Sequence, residues 1–329
     1  IFFLDTRVQV RYSSQRTMNF WQGNITEAAC ERLRGVPGVR WTQGGILTAT
    51  DDAAAGVARL VGRVGVQKIP APRALANIDF PSRLYPWQRT AAEALAAGRV
   101  RGLFHACGLG KTSALLLALR LVGAKRALIL TRAMGRLVYA RDATWAWPEA
   151  TLGILLGESE VESVGARASL RSTMRGLGRI GNGRAVASRS VSALDPLRVV
   201  VATYETLPAR IDELARRSWD VIIADESHMI KSWRSERTRA THQFINRAAF
   251  RWIATATPVR ARLRDLWAQW YFVNPEAAES SWKWVHYFCD AKPGRFGGLD
   301  TGGTSHVEEL RQRIEYSFDI KTRAEIAAF

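Results

Sequence analysis

The segment Gly102-Leu-Phe-His-Ala-Cys-Gly-Leu-Gly-Lys-Thr112 joins an apolar start, a glycine-rich middle and the helix-compatible run Ser113–Val122. This order predicts a strand, a tight loop and a helix. Glycines let backbone N–H groups approach phosphate oxygens, and the first turn of a helix adds a favourable dipole. We therefore expect a phosphate-binding loop here. The alternative is an ordinary glycine-rich turn before a core helix.

The side chains of this loop have suitable chemistry for a bound phosphate chain. Gly108 and Gly110 leave room for the backbone to approach the phosphates. Lys111 would reach the terminal phosphates, and the Thr112 hydroxyl would hold Mg²⁺. One position departs from the full G-x-x-x-x-G-K-T pattern, because His105 stands where the leading glycine is expected.

A second motif, Trp219-Asp-Val-Ile-Ile-Ala-Asp-Glu-Ser-His228, places two adjacent carboxylates directly after an apolar run. The run predicts a buried strand, and the carboxylates would lie at its C-terminal end. We expect Asp225 to join the Mg²⁺ shell and Glu226 to polarise an attacking water. With Lys111 they are the catalytic candidates. Taken alone, such carboxylates are also common as helix N-caps.

The region after residue 80 alternates short apolar runs with helical stretches, which predicts an α/β fold with a mostly parallel sheet. In such sheets, ligands bind at the carboxyl ends of the strands. The predicted strands are Gly102–Phe104, Ala127–Leu130, Val199–Ala202, Val221–Ala224 and Trp252–Ala254.

Residues 1–80 have a different pattern and predict a small accessory α+β domain. Its expected elements are a strand at Val8–Tyr12, a helix from the Asn24/Glu27 capping box to Leu33, a hairpin of Val39–Trp41 with Ile46–Ala49, a helix capped by Thr50 or Asp51 and reaching Val61, and a proline-rich linker from Ile69 to Pro81.

Composition limits the classes of protein to consider. The chain has 329 residues and a formal net charge of +17, which fits about two domains at roughly 100–200 residues each and favours a polyanionic partner. Its three scattered cysteines favour a reducing compartment over secretion. No apolar run approaches the ~20 residues of a membrane span, so no membrane partner is expected. The chain begins at Ile1 without a signal-peptide pattern.

Several segments together resemble the SWI/SNF-like branch of superfamily II helicases. The resemblance starts from Asp225-Glu-Ser-His228, which is similar to that family's DExH box. It implies that residues 81–329 form a RecA-like P-loop NTPase lobe using ATP and Mg²⁺. Similar segments follow the family order at Leu84–Gln88, Ala127–Leu130 with Thr131 and Arg132 replacing Cys-Pro, Val200–Leu207, Thr255–Pro258 with Ala256 replacing Gly, and Ile320–Glu325.

The resemblance also implies roles for individual residues. Gln88 would read adenine, and His228, Thr255 and Thr257 would couple hydrolysis to movement. DNA contacts would come from Arg132, Thr203 and Tyr204.

A finer likeness points to the annealing-helicase subgroup, which remodels duplex or branched DNA. It rests on Tyr287–Asp290, Gly294–Gly297 and Glu309-Leu310, and residues 36–49 are faintly similar to a HARP-type substrate-recognition domain. Motifs of a second RecA-like lobe have no counterpart before Phe329. Because that lobe supplies the arginine finger in the family, we expect this chain alone to hydrolyse ATP poorly.

Two alternative functions remain consistent with the sequence. The motor could belong to a strand-separating helicase or a restriction system, or the chain could be a non-enzymatic DNA-binding scaffold with a vestigial nucleotide site. The expected location is the cytoplasm of a bacterium or phage-infected cell, near the nucleoid, or the nucleus in a eukaryote.

An arginine-rich insertion separates two of the motif-like segments. Residues 165–198 hold seven arginines and one acidic residue, Asp195. Arg167, Arg171 and Arg175 would share one face of a helix, since they recur every four positions. The segment is either a phosphate-contacting arm on the DNA side or a solvated insertion.

Overall fold

The computed structural model describes the backbone of five strands within residues 2–50, and then residues 78–157, 185–188, 191–194, 197–275, 278, 280–294 and 298–326. The N-terminal strands form an antiparallel sheet in the order β1-β2-β3-β5-β4. The strand at Val8–Tyr12 and the predicted hairpin are confirmed, with Trp41 opposite Leu47. The helices predicted at 24–33 and 51–61 lie outside the described residues, as does most of the predicted linker. The strands are β1 (Phe2–Leu4), β2 (Val8–Tyr12), β3 (Thr17–Trp21), β4 (Val39–Trp41) and β5 (Ile46–Thr50).

A second, eight-stranded sheet is parallel throughout. Its strands and a short antiparallel pair, β13 with β14, are β6 (Gly102–His105), β7 (Ala127–Thr131), β8 (Leu152–Leu155), β9 (Ala185–Ser188), β10 (Val199–Thr203), β11 (Trp219–Asp225), β12 (Ala248–Ala254), β13 (Lys292–Pro293), β14 (Leu299–Asp300) and β15 (Phe318–Lys321). The order in the parallel sheet is β15-β6-β12-β11-β7-β10-β8-β9.

Helices cover both faces of this sheet. Local signals set several of their starts: Pro86 occupies the first turn of α1, and Ser235 and Ser280 accept backbone N–H bonds at the starts of α5 and α7. The helices are α1 (Pro86–Ala96), α2 (Lys111–Leu121), α3 (Ala133–Ala146), α4 (Leu207–Ala215), α5 (Glu236–His242), α6 (Arg264–Val273), α7 (Ser281–Phe288), α8 (Val307–Ser317) and α9 (Arg323–Ile326).

The core consists of two apolar layers, one on each face of the sheet. Alternate residues of a single strand enter opposite layers: Val221 and Ile223 of β11 pack on the side of α1–α3, and Ile222 and Ala224 pack on the side of α4, α6 and α7. Burial on both faces explains why the strands read as continuous apolar runs. The predicted α/β fold with a mostly parallel sheet is confirmed, and each predicted strand is present.

The sheet order sets where the site can form. β6, β12, β11 and β7 are consecutive neighbours, so the segments that follow them meet at one edge. Among the described residues, no helix is both long and apolar enough to cross a membrane.

Candidate nucleotide site

The glycine-rich loop between β6 and α2 has the backbone shape that its sequence predicts. Gly108 and Gly110 have left-handed φ angles of +87° and +74°. A Cβ atom on Gly110 would lie 1.8 Å from Nε2 of Gln88 and would displace that amide, and the left-handed φ also favours glycine. Helix α2 begins directly afterwards at Lys111, which leaves its first backbone N–H groups facing the loop.

Lys111 folds back over this loop. Its Nζ donates to the backbone oxygen of His105 at 3.0 Å and to that of Ala106 at 3.4 Å. Its positive charge also acts to lower the pKa of Asp225. The ammonium group therefore lies between the loop and the acidic end of β11, as a phosphate-binding lysine should.

The unexpected His105 is a structural part of the loop. Its side chain is fully buried, and its Nε2 lies 2.8 Å from Oδ2 of Asp319 on β15. Two further bonds join the same regions: Ala106 N donates to Lys321 O at 2.9 Å, and Arg323 donates to Cys107 O at 3.2 Å. The side chain at the leading-glycine position thus anchors the loop to the neighbouring edge strand.

Gln88 lies against the same loop, on the first turns of α1. Its Nε2 donates to the backbone oxygen of Leu109 at 3.3 Å, as does Trp87 Nε1, also at 3.3 Å. Its Oε1 accepts from Tyr85 N at 3.0 Å, and the rings of Tyr85 and Trp87 stack with centroids 4.4 Å apart. The residue is placed beside the loop. Its role in reading adenine stays a prediction.

Asp225 is a buried carboxylate at the end of β11. Its Oδ2 accepts from Thr131 Oγ1 at 3.0 Å and its Oδ1 from Glu226 N at 3.0 Å. Burial, followed by the charge of Glu226, raises its pKa to about 6, while the hydrogen bonds and Lys111 act in the opposite direction. An anionic group held in this way is well suited to a divalent cation.

Glu226 has a left-handed backbone, with φ of +51°, which is uncommon for a residue with a side chain. The turn directs its carboxylate toward the end of β12. There Thr255 Oγ1 donates to Glu226 Oε2 at 3.4 Å, and His228 Nδ1 lies 3.1 Å from Thr255 Oγ1. Thr257 N donates to the same hydroxyl at 3.1 Å. The structure thus brings Glu226, His228, Thr255 and Thr257 together. Burial lowers the pKa of the His228 ring.

Three positions that sequence reasoning did not assign lie around these acids or the turn that follows them. Thr131 binds Asp225 from β7, and a Cβ on Gly135 would lie 2.2 Å from its hydroxyl oxygen, so the glycine lets α3 approach. The ring of Tyr139 is fully buried, and desolvation followed by the nearby Asp225 raises its pKa. Gln269 of α6, also fully buried, accepts from Ser227 Oγ at 2.7 Å. Each is a polar residue in an apolar setting, a signal visible in the sequence only once the fold is known.

The candidate DNA-contacting residues have different surroundings. Arg132 is exposed at the end of β7. Thr203 is buried and shares a 2.9 Å hydrogen bond with the Thr206 hydroxyl. Tyr204 is fully buried, and its hydroxyl donates to the backbone oxygen of Asp225 at 2.7 Å. Arg167, Arg171 and Arg175 lie outside the described residues.

Because Thr203 and Tyr204 are buried, their side chains make their contacts inside the lobe. The Tyr204 hydroxyl supports the backbone that carries the catalytic candidates, so this side chain would have to leave its buried position before it could contact DNA. The prediction of DNA contact at this segment stays untested.

Parts of this chain are similar in sequence to known proteins. A profile of the SNF2-related domain matches residues 169–316. Helicase swr1 of Emericella nidulans is 38% identical over 77 residues, which are 23% of this chain and 4% of that protein. Zorya protein ZorD of Escherichia coli O139:H28 is 29% identical over 130 residues, which are 40% of this chain and 12% of that protein.

A third relative is a Caenorhabditis elegans homolog of the SWI/SNF-related matrix-associated actin-dependent regulator of chromatin subfamily A-like protein 1. It is 28% identical over 112 residues, which are 34% of this chain and 16% of that protein. The matched part is thus a small fraction of each of these relatives.

The fold has a solved counterpart in the SWI2/SNF2 ATPase core of Sulfolobus solfataricus, determined in complex with dsDNA. The TM-score is 0.55 at 18% identity, covering 78% of this chain and 48% of that one. At this identity the likeness concerns the fold. The profile match spans both Asp225–His228 and Thr255–Pro258. Residues 169–316 therefore match the SNF2-related domain, and the chain is similar to the SWI/SNF-like branch of the superfamily II helicases.

Proposed function

We propose that this chain is the ATP-binding lobe of a DNA-dependent motor. The observation that carries the proposal is the meeting of Lys111, Asp225 and Glu226 at one edge of the parallel sheet, beside a loop shaped by two left-handed glycines. A lysine, a buried carboxylate and a second carboxylate are what phosphoryl transfer to water requires.

The residues present fit ATP and Mg²⁺. Gly108 and Gly110 give the loop its left-handed turns, and Lys111 is oriented over the same loop. Asp225 and the Thr112 hydroxyl would hold the cation, which would neutralise phosphate charge when bound. Glu226, positioned by Thr255, would polarise the attacking water.

Three cationic side chains at this edge of the sheet, two of them exposed, support DNA as the partner. Arg132 follows β7, Lys231 follows the turn after β11 and Arg260 follows β12, so three neighbouring strands each lead to a positive charge. All three act to lower the pKa of His228, which places them around that ring. Such an edge, in a chain of net charge +17, suits a phosphate backbone.

The finer activity is part of the same proposal. We favour translocation on duplex DNA or annealing of branched DNA, with residues 1–80 as a substrate-recognition domain and a second RecA-like lobe completing the ATP cleft. This choice rests on the likeness of Tyr287–Asp290, Gly294–Gly297 and Glu309-Leu310 to the annealing-helicase subgroup. Assays on forked and blunt duplexes with the complete protein would separate rewinding from strand separation.

The test compares ATP binding and hydrolysis in the complete protein and its Lys111→Ala and Glu226→Gln variants. We expect Lys111→Ala to lose Mg²⁺–ATP binding. Glu226→Gln should bind the nucleotide but hydrolyse it at least about 100-fold more slowly, as expected for a group in acid–base catalysis. DNA remodelling that is equal in all three proteins would overturn the proposal in favour of a scaffold.

A further inference from the structure

We propose that Gln269 is a positioning residue that links the turn carrying Glu226 to the segment Thr255–Pro258, so that movement of one is transmitted to the other. The inference rests on the proposed function for its catalytic meaning. It names a connection that the sequence motifs themselves do not contain.

The contacts define the link. Ser227 Oγ donates to Gln269 Oε1 at 2.7 Å. On the other side of the amide, Gln269 Nε2 donates to Pro258 O at 2.7 Å and to Asp265 O at 3.0 Å. Carbonyl oxygens only accept hydrogen bonds, so these two partners fix which end of the amide is nitrogen. One side chain thus joins the residue after Glu226 to the last residue of Thr255–Pro258.

The burial of the Gln269 amide indicates that it holds neighbouring segments in position. Gln269 and Ser227 are both fully buried, and the neighbouring α6 residues Leu266 and Trp270 pack in the apolar layer. A buried amide is costly unless its hydrogen bonds are made, and an apolar side chain in this layer would avoid that cost. Because the hydrogen bonds of the Gln269 amide are made on both sides, they fix the turn that carries Glu226 relative to the segment Thr255–Pro258.

The link is separate from the contacts among the reacting groups. Glu226, His228 and Thr255 touch one another through side-chain atoms at the site itself. Gln269 touches none of the three and acts through Ser227, where the left-handed turn of Glu226 passes into the 3₁₀ turn Ser227–Ile230. Loss of the link should therefore leave the nucleotide-binding groups in place and loosen the coupling between the two segments.

The activity test uses the complete protein with Gln269→Leu, Ser227→Ala and the double variant. We expect the KM for ATP to stay within about 2-fold and the stimulation of kcat by DNA to fall about 10-fold, a usual size for coupling between sites. The double variant should be no worse than either single one, because both break the same connection. Ser227→Thr, which keeps the hydroxyl, should restore stimulation.

Thr241→Val is the matched control, since it removes a fully buried hydroxyl that donates within α5, to Arg237 O. It should lower stability without changing DNA stimulation. Additive losses in the double variant, or a parallel fall in KM and kcat matched by the control, would overturn the inference.

A second measurement separates this inference from the proposed function. In hydrogen exchange on the nucleotide-free protein, Gln269→Leu and Ser227→Ala should reduce the protection of residues 226–231 and 255–260 together, unlike Thr241→Val. Absence of ATP hydrolysis in the wild-type protein would refute the proposed function alone. Unchanged protection in both segments would refute the link, whatever the protein hydrolyses.

Discussion

His105, fully buried at the end of β6, holds its Nε2 atom 2.8 Å from Oδ2 of Asp319 on β15. His105→Gly would restore the usual phosphate-loop sequence but leave Asp319 without this partner. We expect a loss of about 1.5–3 kcal/mol in the free energy of unfolding, the usual contribution of a hydrogen bond to a charged group, and weaker nucleotide binding. Urea unfolding and nucleotide titration measure the two effects.

Asp319→Asn serves as the control for that prediction. Its amide oxygen can still accept from the ring, so we expect a smaller loss than for His105→Gly. An unfolding free energy for His105→Gly equal to that of the wild type would mean that the pair contributes nothing to the lobe.

Gly110→Ala should abolish nucleotide binding, because its Cβ would lie 1.8 Å from Gln88 Nε2 and its φ of +74° disfavours side chains. Gly98→Ala is the matched control, with a φ of +68° and no atom within 4 Å of the added Cβ. Both variants carry the left-handed backbone strain, about 1–2 kcal/mol. Only Gly110→Ala should lose binding of a fluorescent ATP analogue. Equal loss in both would assign the effect to general destabilisation.

Tyr204→Phe should act on the active site rather than on DNA affinity. The change removes the bond from the Tyr204 hydroxyl to the backbone oxygen of Asp225. We expect the unfolding free energy to fall by about 0.5–1.5 kcal/mol, and ATP hydrolysis to fall with it. DNA affinity, measured by fluorescence anisotropy, should be unchanged. A selective loss of DNA binding would instead support direct contact by this side chain.

His242 should make the lobe less stable in mild acid. Burial lowers the pKa of its ring, whose Nε2 donates to Ala268 O. Between the ordinary His pKa near 6.5 and this lower value, the unfolded chain binds a proton that the folded chain does not, so stability falls as the pH decreases. His242→Gln should reduce the loss of unfolding free energy between pH 7.5 and pH 5.

Asp225 has the opposite effect over part of this range. Its raised pKa of about 6 makes stability fall as the pH rises from about 4 to 6. Because Asp225 is common to both proteins, the difference between wild type and His242→Gln isolates the histidine. Parallel stability curves for the two would show that His242 does not titrate in this way.

The arginine-rich insertion makes a prediction about salt dependence. If Arg167, Arg171 and Arg175 contact phosphates, their replacement by Gln should reduce the slope of log K against log salt by about 2–3 units, at ~0.9 per contact. Arg216→Gln, an exposed change at the C-terminal end of α4, is the control. The same slope in both variants would remove the insertion from the DNA interface.

The parts of the fold that local pattern determines could be predicted from sequence. The strand ending at Asp225 is a run of residues buried on both faces, and the loop before Lys111 requires glycine for steric reasons. Both signals lie within about ten residues, so neither depends on knowing what packs nearby.

The contacts between distant segments could not be predicted. Asp319 lies in a short strand of alternating apolar and charged residues, and its partner His105 is 214 positions away. Gln269 likewise reads as a polar position on an amphipathic helix until Ser227 is placed beside it. Tyr204 shows the same limit, because sequence does not reveal whether a side chain at a strand end points inward.

The phosphate loop depends on residues that are synthesised much later. Cys107 O receives its bond from Arg323, 216 positions further along, and Ala106 N is held by Lys321. A ribosome therefore finishes the loop long before it makes the strand that supports it, and such long-range pairings form slowly. We therefore expect that nucleotide binding requires a lobe in which β15 has already joined the sheet.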